Sequence, residues 1–165
     1  KNKNEKQRLN RIVRTVFPFI EDIKIENSIN KSLIFKVKEK YTKQEYPSHL
    51  LSDGTVNVLA LIVALYFQSN HEFVVIEEPE KNIHPMLLNN ITQLLKEVSE
   101  KKQITITTHN PHILKNMDLK NIYFISRDKE GHSKITKPID NKNVNIFLEN
   151  ELGIEDLFVE DLLNE

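Results

Sequence analysis

The stretch FVVIEEPEKNIHP, Phe73 to Pro85, decides how this chain is read. Phe73 to Ile76 is a short, continuous apolar run, the pattern of a strand buried on both faces. It drives straight into Glu77, Glu78, Pro79 and Glu80. Carboxylates so closely spaced repel one another unless a cation lies between them. Mg²⁺ meets that need, because it is a hard ion held by one or two carboxylates, water and phosphate oxygens. Residues adjacent on a strand point to opposite faces, a rule that relaxes where the strand ends and the chain turns. One of the two glutamates can then bind the metal, directly or through water, while the other polarises an attacking water. The competing reading is an acidic loop that only faces solvent.

Downstream, Pro85 stands at a helix start, and MLLNNITQLLKEVSEK (86–101) carries helical periodicity. QITITTH, Gln103 to His109, is the next strand, rich in β-branched residues. PHILKNM reads as a short helix, NIYFISR as a strand, KEGH as its turn and SKITKPI as its antiparallel partner. Upstream, LLSDGT (50–55) opens a helix over 56–68, and Ser32 to Tyr41 alternates in part, as a strand does. Leu9, Ile12, Val13, Val16 and Phe17 recur at steps of three and four, which predicts an amphipathic helix over 5–20 with Pro18 at or just past its end. Val144 to Leu163 predicts one or two short helices. The succession is that of an α/β fold, a mostly parallel sheet flanked by helices. Chemistry in such sheets collects at the C-terminal ends of the strands, where Glu77-Glu78 and His109 stand. A single helix joins those two strands, so they are expected to be neighbours.

Two further pieces have chemical and structural readings side by side. His109 at a strand end is either structural or a group that bonds a phosphate oxygen or holds a water. Ser52, with Asp53, caps the helix start. A helix N-terminus presents free N–H groups to a phosphate, and Gly54 would let one approach the backbone. An ordinary capped helix is the plainer reading.

Composition narrows the class. At 39% hydrophobic and net charge −1, the 165 residues form an ordinary globular domain or one lobe of a larger one. Residues 1–44 hold 12 Lys/Arg against 5 Asp/Glu, whereas 149–165 hold 7 acidic residues and no basic one. The basic start is either a solvated helix face or a surface for nucleic acid. The absence of cysteine excludes disulfide and thiolate chemistry. The longest apolar stretch, Val58 to Phe67, is about half of what spans a bilayer. With no initiator Met, the chain is expected to be a fragment or a processed piece.

LLSDGT, VVIEEPEKNIHP and ITTHNPHIL occur in that order, and together they resemble the C-terminal part of ATP-binding-cassette-type ATPases. The closer similarity is to the soluble SMC-like and OLD-like ATPases, an AAA-labelled group with many bacterial anti-phage defence proteins. The resemblance implies that LSDGT is the signature motif, with Ser52, Asp53, Gly54 and Thr55 at nucleotide-binding positions. It makes VVIEE the Walker B strand, with Glu77 at the metal position and Glu78 at the catalytic one. KNIHP falls at the D-loop, and His109 becomes the catalytic switch histidine. Glu77 stands where Asp is more usual, Asp53 where transporters often have Gly, and His84 where the D-loop often has Asp.

The family also needs a GxxxxGK[ST] phosphate loop, and none of the three glycines, Gly54, Gly131 and Gly153, belongs to one. The resemblance therefore implies the C-terminal half of an ATPase head, inactive alone. Residues 1–48 would be the end of an arm helix and an entry strand, 49–140 the motif-bearing lobe, and 141–165 an acidic helical tail. ATP and Mg²⁺ are the implied cofactors. The implied partners are an N-terminal half carrying the phosphate loop, a second head, a nuclease effector and DNA, in the cytoplasm and away from membranes. The alternatives are the nucleotide-binding subunit of a transporter and a scaffold lobe without catalysis.

Overall fold

The computed structural model describes residues 2–27, 33–67, 72–115 and 117–140. The chain divides into two compact units, Lys1–Thr107 and Thr108–Glu165. The helices expected over 144–163 lie outside the described residues.

The first unit opens with helix α1 (Asn2–Val16), whose apolar stripe buries Val13 and Val16, with Phe17 just beyond. Pro18 follows the helix, as its missing N–H and fixed φ require. Three antiparallel strands come next in the order β1 (Ile20–Asn27), β2 (Leu33–Glu39), β3 (Glu45–Pro47). Sequence reading found only β2. β1 hides because a register irregularity between Ile20 and Asp22 sets its buried residues, Ile20 and Ile23, three apart instead of two. β3 is too short and polar to give a period.

Helix α2 (Asp53–Phe67) begins three residues before the expected start, and buries Val58, Ile62 and Leu65. Strand β4 (Phe73–Glu77), helix α3 (Pro85–Ser99) and strand β5 (Gln103–Thr107) follow, and β4 pairs with β5 in parallel. The α/β reading and the neighbouring of these two strands are borne out. The parallel ladder is confined to β4–β5 among the described residues, and the other two sheets are antiparallel.

The expectation that β4 is buried on both faces is overturned. Ile76 packs against the core and Val74 is half-buried, whereas Phe73 and Val75 on the other face are 54% and 60% exposed. β5 alternates in step, with Ile104 and Ile106 inward and Gln103, Thr105 and Thr107 outward. Within the first unit, no described layer covers that second face.

The core gathers α1, β1, β2, α2 and α3 around Val13, Ile20, Val37, Ile62, Leu65 and Ile91. Asn10 ties α1 to β1, accepting from the Ile23 amide at 3.1 Å and donating to Asp22, which also pairs with Lys6 at 2.9 Å. Burial acts to raise the Asp22 carboxyl, but the hydrogen bonds from Lys6 and Asn10 outweigh it and hold it below the usual range. In the second unit, α4 (Pro111–Leu114) precedes an antiparallel hairpin, β6 (Phe124–Arg127) and β7 (Ser133–Thr136). Both strands and the turn between them match the sequence reading. Among the described residues no helix is long and apolar enough to cross a membrane.

Two outcomes follow for stability. Ile62, fully buried, should cost about 2–5 kcal/mol as Ile62→Ala in urea unfolding. Asp22 has a depressed folded-state pKa, so its contribution is full above the unfolded pKa and is lost as pH falls through the folded one. Thermal melts from pH 6 downward should therefore fall less steeply for Asp22→Asn than for the wild type.

Candidate functional site

The site grows from two chain reversals that meet in the first unit. The first precedes α2. Ser52 caps the helix: its carbonyl accepts from the Val56 amide at 3.1 Å, and its Oγ accepts from the Thr55 amide at 3.2 Å. The Ser52 and Thr55 hydroxyls lie 2.8 Å apart. Ser52 and Asp53 are exposed and Thr55 is half-buried, so the polar groups of this first turn face outward. The opening N–H groups of any helix lack partners within it and carry the positive end of its dipole; here Ser52 Oγ takes the Thr55 amide.

The second reversal follows β4. Glu77 ends the strand, exposed and in register with Thr107. Glu78 is half-buried, with φ of 43°. A left-handed backbone at a residue other than glycine costs on the order of 1–3 kcal/mol and persists only where surroundings enforce it. The Glu78 amide donates to the Thr107 carbonyl at 2.9 Å, extending the ladder by one bond. Its own carbonyl accepts from the Lys81 amide at 2.9 Å, and Asn82, at φ of 61°, turns the chain a second time. Lys81 Nζ stands 3.5 Å from the Glu78 carboxylate. This cation offsets part of the acidic cluster's repulsion, weakly, because both groups are solvated. His84 then caps α3, its Nδ1 accepting from the Met86 amide at 3.3 Å, with Pro85 in the first turn.

The two reversals are pressed together at Gly54. A Cβ on Gly54 would lie 2.2 Å from the Asn82 carbonyl oxygen, well inside contact distance. Asn57, on the next turn of α2, donates to the Lys81 carbonyl at 3.3 Å. The approach of another backbone gives the glycine a reason that sequence reading, which set phosphate approach beside an ordinary capped helix, did not supply. Asn57 was missed altogether, and no sequence signal marks it.

The structure thus brings Ser52, Asp53, Gly54 and Thr55 onto the helix that packs against the turn following Glu77 and Glu78. His109 belongs to the second unit. It is exposed, two residues past the end of β5, in a segment shaped by Asn110. The Asn110 amide donates to Thr108 Oγ1 at 2.9 Å, and its side chain accepts from the His112 amide at 3.0 Å, capping α4. Sequence reading also passed over Asp128, Glu130 and His132 in the β6–β7 turn, whose ligand atoms lie within 4.8 Å of one another. Asp128 Oδ1 there accepts from the Glu130 and His132 amides, each at 2.9 Å, which accounts for it as a turn residue.

With this geometry in place, comparison with known proteins is decisive for the family. The family model described as AAA domain, putative AbiEii toxin, Type IV TA system, matches residues 2–115, more than two thirds of the chain. The chain belongs to this AAA family. The chromosome partition protein Smc of Fusobacterium nucleatum is 28% identical over 140 residues, covering 83% of this chain and 12% of that protein. The Methanocaldococcus jannaschii protein MJECL43 is 25% identical over 146 residues, covering 80% of this chain and 38% of that one. The AAA chain thus spans well under half the length of both relatives.

Solved structures give the fold. A structure from work on ATP-driven dimerization and DNA-stimulated activation of SMC ATPases superposes with a TM-score of 0.68 at 19% identity, covering 89% of this chain and 91% of that one. The Smc head domain of Pyrococcus yayanosii, with its coiled coil and joint, gives 0.66 at 18% identity, covering 89% and 29%. The fold is that of an SMC ATPase head, and the resemblance read from the three motifs is upheld.

Gly54→Ala should be the most damaging small change in this region. Overpacking of this kind costs typically 1–3 kcal/mol, and the chemical-unfolding midpoint should drop accordingly, while Thr55→Ala at the half-exposed neighbour should shift it far less.

Proposed function

We propose that this chain is the C-terminal lobe of an ATP-hydrolysing head that works as a pair, each active site being shared between two heads. The observation that carries the reading is the junction of a phosphate-ready helix start with an acidic strand end. Exposed Ser52, the Thr55 hydroxyl and the N-terminal end of α2 suit a γ-phosphate held by the opposite head. Asp53 frames the edge of that set. Glu78 takes the role of general base, orienting or deprotonating the attacking water. Its fixed backbone suits a group that must hold one direction.

Glu77 is an exposed oxygen donor at a strand end, which fits an ion that keeps most of its waters and takes one or two carboxylates. Mg²⁺, when bound, neutralises charge building on the phosphate oxygens. His109 contributes a hydrogen bond to the γ-phosphate. Glu80 shapes the turn.

The uncovered face of β4–β5 supports the implied N-terminal partner lobe. Phe73 and Val75 form an apolar strip with Thr105 beside it, at the sheet that carries the site. A lobe supplying the phosphate loop would remove that strip from water, a favourable burial of about 25 cal/mol per Å² of apolar area. The wider assignment is a cytoplasmic head whose nucleotide cycle controls a DNA-associated or anti-phage complex, with a nuclease as effector. The family description, which names a putative toxin of a type IV toxin–antitoxin system, and the SMC relatives support that setting.

The experiment is ATP turnover with Mg²⁺ by the protein carrying its native upstream segment. Glu78→Gln should lower kcat by roughly 10²–10⁴-fold, the range for losing a general base, while ATP still binds and paired heads accumulate. Wild-type protein that binds no ATP would remove the proposal and leave the scaffold reading.

A further inference from the structure

We infer that Asn57 and Gly54 are positioning residues for Glu78: the first turns of α2 form the seat that keeps the strained backbone after β4 in its left-handed conformation. Two left-handed residues, Glu78 and Asn82, lie within one short turn, and non-glycine residues rarely adopt that conformation. On the sheet side the turn is held at Glu78 by its bond to the Thr107 carbonyl. Inside the turn, the Lys81 amide bonds the Glu78 carbonyl and the Ile83 amide bonds the Glu80 carbonyl, at 2.9 and 3.1 Å. These local bonds set the curvature without fixing where the turn sits.

α2 adds two holds on the far side of the turn from Glu78. Asn57 Nδ2 bonds the Lys81 carbonyl, and the Cα of Gly54 sits against the carbonyl of Asn82. Both contacts reach backbone carbonyls of consecutive residues, so they lock the path of the chain, whatever side chains the turn carries. Movement of α2 toward the turn is blocked by the Gly54 contact, and movement away from it is resisted by the Asn57 bond.

The same first turn presents Ser52 and Thr55. Resting on the function proposed above, the seat links the two jobs of one head. Engagement of Ser52 by the opposite head's phosphate bears on α2, and α2 bears on the backbone that aims Glu78 in its own site. The seat itself does not depend on that proposal.

The test uses the complete protein with three variants at exposed Asn57, a position where folding should survive. Asn57→Ala and Asn57→Asp remove the amide donor, and Asn57→Gln restores one on a longer arm. Hydrogen–deuterium exchange without nucleotide reads the seat directly. Amides of 78–83 should exchange on the order of tenfold faster in the Ala and Asp variants, with core strands unchanged and the Gln variant nearer wild type. In turnover, kcat should fall by about tenfold with the KM for ATP unchanged, the mark of an interaction needed only in the transition state. Unchanged exchange at 78–83, or an increase spread evenly over the core, would overturn the inference. If wild type shows no turnover but the exchange pattern appears, the seat stands and the proposed function falls.

Discussion

The contact between Gly54 and the Asn82 carbonyl organises this lobe. It is a backbone-to-backbone approach, so close that a single methyl group would block it. The helix that presents Ser52 and Thr55 is fixed in depth by it, and so is the turn that carries Glu78 away from β4. The contact works because each partner is rigid in its own right. α2 is capped at Ser52 and buried along Val58, Ile62 and Leu65. The turn is anchored to β5 through Thr107 and closed by the cap of α3 at His84. Close-packed elements of this kind transmit displacement instead of absorbing it.

The acidic cluster that raised the first question is split between two backbone settings. Glu77 stays on the strand and points into the open. Glu78 leaves it, turned by a left-handed backbone and accompanied by Lys81. Two adjacent carboxylates thus stand in different surroundings, as the separate roles proposed for them require. The uncovered strip at Phe73 and Val75 lies on this same pair of strands.

Much of this was legible in the sequence because its signals were local. The β4–α3–β5 unit followed from an apolar run, a proline at a helix start and a β-branched run. The helical stripe of α1 followed from steps of three and four, and the β6–β7 hairpin from its turn residues. Three motifs in order then pointed to the ATPase head. Signals that depend on tertiary neighbours were not legible. β1 lost its alternation to a bulge near Asp22. β4 looked fully buried because an apolar run does not state which face has a covering layer. Gly54 could be read only as permissive until Asn82, far along the chain, was seen beside it. Asn57 is an exposed polar residue on an apolar helix, a position without any pattern.

The central claim is that Ser52 and Glu78 of one chain serve two different active sites. Mixing two disabled forms of the complete protein tests it most directly. Ser52→Arg heads keep Glu78, and Glu78→Gln heads keep Ser52. If sites are shared across a symmetric pair, a mixed pair contains one intact site, and an equal mixture should recover roughly a quarter of wild-type turnover although each form alone is inactive. A mixture as inactive as its components would contradict the account, because it would mean that both residues are needed in the same chain.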